Sequence, residues 1–301
     1  MKMGVSVCGV EFKNPVIAAS GTFGFGEEYR SYFDVGQLGG VALKAVSLAP
    51  KAGNPPPRIA ETSSGILNSI GLQNPGLEVF LRDVLPGVRA LGTSIIANVA
   101  GGTAEEYCAV VEALSAADGI DMIELNVSCP NVKEGCLAFG SSPDGVLSIT
   151  RQVRPFCKKP LMVKLSPNTS DIAATAQAAQ AGGADAVSLI NTLTGMAVDV
   201  HRRRPILANR TGGLSGPAVL PVALHMVHTV YRAVSIPIIG MGGIMSGEDA
   251  VAFMLCGARC VMVGTAGIGD PLAWLRIRDE IGAYMRLHGL EDVNELVGGL
   301  E

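Results

Sequence analysis

Short runs rich in β-branched and aliphatic residues alternate with stretches of helical period from one end of the chain to the other. After an apparent hairpin, SVCGVEF (6–12), eight strand candidates follow: PVIAAS (15–20), GVALKAVSL (40–48), SIIANVA (94–100), MIELNVS (122–128), LMVKLS (161–166), AVSLINTL (186–193), IPIIGMGG (236–243) and CVMVGTA (260–266). Helical pattern occupies residues 77–91, 103–117, 143–156, 169–181, 218–233, 246–256 and 271–288. Thr103 and Thr169 stand where N-caps belong, and Gly182 follows an alanine-rich helix where a stop belongs.

Eight βα units in 301 residues, with no linker-like stretch, predict a single domain over 1–301. The expected fold is α/β: a (β/α)8 TIM barrel with an N-terminal β-hairpin and long βα loops at its C-terminal face. The structural rival is a doubly wound open sheet. Ser20, Lys44, Asn98, Asn126, Lys164, Asn191, Gly242 and Gly264 all fall late in their strands. In a barrel those ends converge on one face; in an open sheet they would be strung along an edge. Two connections, about 49–75 and 194–217, exceed the usual 2 to 6 residues of such loops and are expected to be lids or binding segments.

Composition narrows the class. An apolar fraction of 48% and 38 glycines exclude disorder, and 23 Lys+Arg against 27 Asp+Glu give a net charge of -4. No basic surface is offered to nucleic acid, so an anionic ligand would need local cations. Seven cysteines form no CxxC pair, and the N-terminus MKMGVSVCGVEFKNP has no signal-peptide pattern. Reduced thiols in a cytoplasmic protein are expected, with no metal or iron–sulfur site carried by this chain. No apolar run approaches the roughly 18 residues of a membrane span.

The most informative stretch is IELNVSCPNVKEG (123–135), in which an alternating strand ends on a thiol. Cys129 is flanked by Ser128, Pro130, Asn126 and Asn131; a free thiol ionises near pH 8.5 and, once activated, acts as a base or nucleophile. Cys8, Cys108, Cys157, Cys256 and Cys260 have no such neighbours and read as inert thiols, and Cys136 is assigned no role. Lys44 and Lys164 lie inside apolar strands, where a cation needs a partner; bound anions are one reading and an ion pair with Glu124 the other. Asn68, Asn98, Asn126, Asn131 and Asn191, with Thr192, supply uncharged donors and acceptors suited to a ring with imide edges. Gly242, Gly243, Gly264 and Thr265 end the last two strands, where barrels commonly hold a phosphate on backbone N–H groups, and Gly216 could join them. Such a phosphate suits flavin mononucleotide (FMN) and a sugar-phosphate substrate equally. Arg202, Arg203 and Arg204 read as a solvated loop face, the four histidines show no metal-ligand spacing, and no GxGxxG follows the first strand.

Assembled, these residues resemble the catalytic subunit of class 1 dihydroorotate dehydrogenases over essentially the whole chain. The similarity is carried by ASGTFGFG (19–26), NPPPRIAET (54–62), NSIGLQNPG (68–76), ELNVSCPNVKEG (124–135), VKLSPN (163–168), INTLTGM (190–196), ILANRTGGLSGPA (206–218), IIGMGGI (238–244) and VGTA (263–266). The NPPPR…AET and LANRTGGLSGPA segments resemble the NAD-linked (B) subtype rather than the fumarate-linked homodimers. The resemblance implies an FMN enzyme of pyrimidine (UMP) synthesis that oxidises (S)-dihydroorotate to orotate. It also implies a homodimer within a heterotetramer, with FAD and a 2Fe-2S cluster on an electron-transfer partner that passes electrons to NAD+.

Residue by residue, the resemblance makes Cys129 the base that takes the carbon-5 proton. Lys44, Asn68, Ser69, Ile70, Gly71, Leu72, Asn126, Asn131, Asn191 and Thr192 would hold the substrate. Ser20, Lys44, Ala45, Asn98, Asn126, Lys164, Ile190, Gly216, Gly242, Gly243, Gly264 and Thr265 would hold FMN. Ala45 and Cys136 stand where family members often have glycine. The alternatives are a fumarate-linked class 1 enzyme, a dehydrogenase of another dihydropyrimidine such as dihydrouracil, and a flavin-free barrel lyase or isomerase.

Overall fold

The computed structural model describes residues 1–128 and 139–301. Eight strands close a barrel: β1 (Val16–Ala18), β2 (Gly40–Ala42), β3 (Ser94–Val99), β4 (Met122–Asn126), β5 (Leu161–Lys164), β6 (Ala186–Leu189), β7 (Ile238–Met241) and β8 (Cys260–Val263). Every neighbouring pair is parallel and β8 returns to β1, which decides for the barrel over the open sheet. The strands are buried along almost their whole length, as expected where side chains fill the interior on one side and meet helices on the other.

Outside run α1 (Ala104–Ala116), α2 (Pro143–Val153), α3 (Ile172–Ala181), α4 (Leu220–Tyr231), α5 (Gly247–Leu255) and α6 (Ala273–Leu287). Thr103 caps α1 through the Glu106 N–H, and Ser246 with Asp249 forms a capping box at α5. Gly182 caps the end of α3 as expected, but its N-cap is Asp171, which accepts the Ala174 N–H at 2.9 Å, and not Thr169. The helical pattern over 77–91 is realised as Leu77–Val79, a π-turn at Phe80–Val84 and Leu85–Arg89. Pro86 has no N–H to return to the preceding turn, which accounts for the irregular winding there.

The β1–β2 connection has two short 3-10 turns in place of a helix. Aromatic packing fastens it: Trp274 of α6 meets Phe23 and Tyr29 edge-on at 4.9 and 5.0 Å and donates its indole N–H to Val263 O at 2.9 Å. The N-terminal hairpin, Val5–Val7 with Val10–Phe12, closes the bottom of the barrel. Its Phe12 ring lies where a side chain on Gly40 would stand, 2.9 Å from that added carbon, and Glu11 O accepts the Ser94 hydroxyl at 2.7 Å.

The two long connections meet. Gly65–Asn68 pairs with Ile59–Thr62 on one side and with Gly212–Ser215 on the other, and Leu193–Gly195 completes a four-stranded antiparallel sheet. Leu193, expected to finish the sixth barrel strand, belongs to this accessory sheet instead.

Candidate active site

Strand register sets which residues share the barrel interior. Asn98 is paired with Glu124, Glu124 with Met162, Asn126 with Lys164, and Lys164 with Ser188. Parallel neighbours in register point the same way, so these side chains form one face. That face is the interior, because Ser188 on β6 reaches past β5 to donate to Glu124 Oε1 at 2.7 Å.

The Glu124 carboxyl is fully buried and accepts a second bond, from Asn98 Nδ2 at 2.5 Å on its other oxygen. Glu124 is therefore hydrogen-bonded by neutral groups and is not the counter-ion of a lysine. None of the nine ion pairs among the described residues includes Lys44 or Lys164.

Lys44 reaches the site through a bulge. Leu43 N–H bonds Ile96 O, and the next bond to β3 comes from Val46 to Asn98 O, one residue later than a regular ladder gives. The Lys44 N–H turns aside to Gly24 O, at 2.9 Å. Burial, then repulsion by Arg58 and Lys164, holds the Lys44 ammonium below the ordinary lysine range. Arg58, from the NPPPR segment, thus adds a third cation beside Lys44. It is held by Gln73 Oε1 at 2.6 Å.

The candidate substrate segment is fixed from behind. Ser69 N–H donates to Arg58 O at 2.8 Å, Asn54 donates to both Ser69 oxygens and to Ile70 O, and Asn74 Nδ2 bonds Leu72 O at 2.8 Å. Gly71 has φ 76° and would press any side chain into Asn54. Asn68, on the accessory sheet, donates to Gly213 O at 3.3 Å. Asn191 Nδ2 reaches Asn126 Oδ1 at 3.4 Å, and the Thr192 N–H bonds Asn191 Oδ1 at 2.8 Å. Tyr107 of α1 anchors the end of β4 by donating to Asn126 O at 2.7 Å.

Glycines ring the other side. Gly216 (φ 97°) lies against Gly65 and Thr265, and the Thr265 hydroxyl bonds Ser215 Oγ at 2.9 Å. Gly242 (φ 127°) abuts Ile190, Gly243 (φ 80°) abuts the backbone of Leu220, and Gly264 abuts Ala19 and Thr22. The backbone N–H groups of Gly242, Gly243, Gly264 and Thr265 find no acceptor among the described residues. For Ser20 and Ala45 the structure fixes only their places, after β1 and in the bulge after β2. Cys129 and Asn131 lie outside the described residues. Among the thiols assigned no role, burial pushes Cys8 up to about 11 and raises Cys108, Cys157, Cys256 and Cys260 above the usual range, away from the thiolate form.

The family model described as dihydroorotate dehydrogenase matches residues 2–285. The chain belongs to the dihydroorotate dehydrogenase family. It is similar to proteins named dihydroorotate dehydrogenase B (NAD(+)), catalytic subunit. That of Alkaliphilus oremlandii is 55% identical over 99% of this chain and 98% of the relative. That of Alkaliphilus metalliredigens is 54% identical over 100% and 99%, and that of Geobacter sp. is 52% identical over 99% and 98%.

Dihydroorotate dehydrogenases imply a flavin cofactor, and the barrel mouth fits one. Asn98 Oδ1 and Ser128 Oγ are buried polar atoms with no hydrogen-bond partner among the described residues. Buried polar groups are nearly always paired, so unsatisfied atoms late in the barrel strands, where N–H groups and lysines also lack partners among the described residues, are what a polar ligand would complete.

Proposed function

We propose that the chain is the FMN-dependent catalytic subunit of an NAD-linked dihydroorotate dehydrogenase, oxidising (S)-dihydroorotate to orotate in pyrimidine synthesis. The observation that carries this is the charge pattern at the barrel mouth. Lys44 and Lys164 repel one another and join no ion pair among the described residues, while amides and N–H groups without backbone acceptors stand at the ends of the same barrel's strands. That set suits a small anionic imide ring and a phosphate-bearing cofactor.

A bound flavin supplies a two-electron acceptor for the hydride on substrate carbon 6. The chain supplies the rest. Cys129, as thiolate, takes the carbon-5 proton and becomes a thiol, while the electron pair of that C–H bond forms the ring double bond as hydride leaves carbon 6. Lys44 faces the substrate carboxylate; Asn68, Ser69, Ile70, Gly71, Leu72, Asn126, Asn131, Asn191 and Thr192 orient its amide edges. Ordering the substrate between base and acceptor turns a bimolecular encounter into a unimolecular step. Gly216, Gly242, Gly243, Gly264 and Thr265 hold the phosphate, which selects the mononucleotide. Ser20, Ala45, Asn98, Asn126, Lys164 and Ile190 hold its ring and chain, and Lys164 favours negative charge on the reduced form.

The relatives' name, NAD(+) with "catalytic subunit", supports a division of labour. In this reading two copies of the chain assemble with a partner carrying FAD and a 2Fe-2S cluster, which delivers the electrons to NAD+. No helix among the described residues is long and apolar enough to cross a membrane. The free cysteines support a reducing cytoplasm.

Replacing Cys129 by alanine tests the chemistry. The Cys129→Ala protein should retain FMN, while anaerobic reduction of the flavin by dihydroorotate, followed by stopped-flow bleaching, slows by orders of magnitude. Reduction at the unaltered rate refutes the assignment of the base.

A further inference from the structure

Glu124 is a fully buried carboxyl that the proposed chemistry does not use. Both of its oxygens are occupied, by Ser188 Oγ at 2.7 Å and by Asn98 Nδ2 at 2.5 Å. Carboxylate oxygens accept and do not donate. Turning the Asn98 amide over would set its oxygen against a Glu124 oxygen at that same separation, acceptor against acceptor. The amide is therefore held one way, nitrogen to Glu124. Its oxygen is left buried and without a donor among the described residues. Asn98 also lies beside the bulge that redirects Lys44, since Val46 N–H bonds Asn98 O, so the orphaned oxygen belongs to the ligand-facing end of the barrel.

We propose that Glu124 is a positioning residue: it locks the Asn98 amide so that the Asn98 oxygen serves as the acceptor for a hydrogen-bond donor of the bound flavin. This rests on the reading of the mouth as a flavin site. Glu124 touches neither substrate nor cofactor; it acts through the amide. An unlocked amide presents N–H₂ about as readily as oxygen, and N–H₂ facing a donor repels it.

The test is a double-mutant cycle on flavin affinity. Apoprotein is titrated with flavin mononucleotide, following quenching of flavin fluorescence, for the unaltered chain, Glu124→Gln, Glu124→Met, Asn98→Ala and the two double variants. Glutamine keeps the shape but can donate as well as accept, so the lock loosens and Kd should rise about threefold or more. Methionine removes the acceptors, and Kd should rise about tenfold or more. Both effects should vanish in the Asn98→Ala background, because nothing is left to position. The visible spectrum of bound flavin should shift in the Glu124 variants, a change that a filler of the core would not cause. An unaltered Kd in either Glu124 variant that folds, or the same fold-change with and without Asn98, overturns the proposal. Glu124→Gln is isosteric and decides alone if the methionine variant does not fold. An unaltered chain that binds no flavin overturns the site reading as well, so the two failures are distinguishable.

Discussion

Gly243 is the position at which a single added carbon should separate fold from function most sharply. Its φ of 80° is left-handed, and a Cβ built there would stand 2.7 Å from Leu220 N and 2.8 Å from Leu220 Cα. Those are backbone atoms at the head of α4 and cannot rotate away. In Gly243→Ala the left-handed backbone costs about 1–2 kcal/mol and the overpacking a further ~1–3 kcal/mol. For 301 residues the unfolding entropy near 60 °C is about 0.6 kcal/mol/K, so a loss of about 2–5 kcal/mol lowers Tm by about 3–8 °C. Gly289→Ala is the control. Gly289 follows α6 with φ 67° and nothing within 4 Å, so only the conformational cost of about 1–2 kcal/mol applies.

Calorimetry of the two apoproteins measures the difference, and FMN titration measures its consequence. If the Gly243 N–H holds the phosphate as proposed, displacing it removes a charge-assisted bond, a loss of about 1.5–3 kcal/mol or roughly 10- to 150-fold in Kd. Gly289→Ala should bind FMN as the unaltered chain does. Equal melting losses in the two variants would show that the Leu220 contact has no steric consequence. Unaltered FMN affinity in Gly243→Ala would remove this loop from the phosphate site.

Two further outcomes follow from the same geometry. Tyr107→Phe deletes the hydroxyl that donates to Asn126 O at 2.7 Å, so urea unfolding should show a loss of about 1–3 kcal/mol; an unshifted midpoint would mean another donor takes over. Lys44→Met removes a cation whose pKa is lowered by burial and by Arg58 and Lys164. The unfolded chain holds that proton more tightly than the fold, so the charge destabilises the fold at neutral pH, and the penalty fades as pH rises through the folded pKa toward the ordinary lysine value. The apo variant should accordingly be the more stable protein at pH 7, with an advantage that shrinks at alkaline pH; an advantage that grows with pH would contradict the sign.

The barrel was legible because parallel strands buried on both faces read as short aliphatic runs, and the few polar residues within them marked one end. Lys44, Asn98, Asn126 and Lys164 all announced themselves in that way. The accessory sheet was not legible: Gly65–Asn68 and Gly212–Ser215 are glycine-containing, too short for a period, and paired across some 150 positions. Glu124 was visible only as a carboxyl near lysines. Its true partners, Asn98 and Ser188, follow from strand register, which no local pattern encodes. Arg58 lay in a proline-rich loop with nothing to show that it faces Lys44. The bulge that aims Lys44 is likewise invisible in GVALKAVSL, since it is defined by which N–H on β2 meets which carbonyl on β3.

Polar satisfaction changes systematically across the site, and the change has a physical meaning. Fully buried Glu124 has both oxygens bonded by the chain. Fully buried Asn98 has its nitrogen bonded and its oxygen without a partner among the described residues. Half-buried Lys44 has neighbours of its own sign and no ion-pair partner among the described residues. A core designed only for stability would close all three internally or replace them with aliphatic side chains, because a partly satisfied polar group in low dielectric is worse than none. Here the interior group that must not move is complete, the group it orients is half complete, and the cation at the mouth is left open. On the proposed reading, ligand atoms complete the network, and binding energy goes to groups already fixed in direction. Preorganisation of this kind separates an active site from a polar defect in a barrel core.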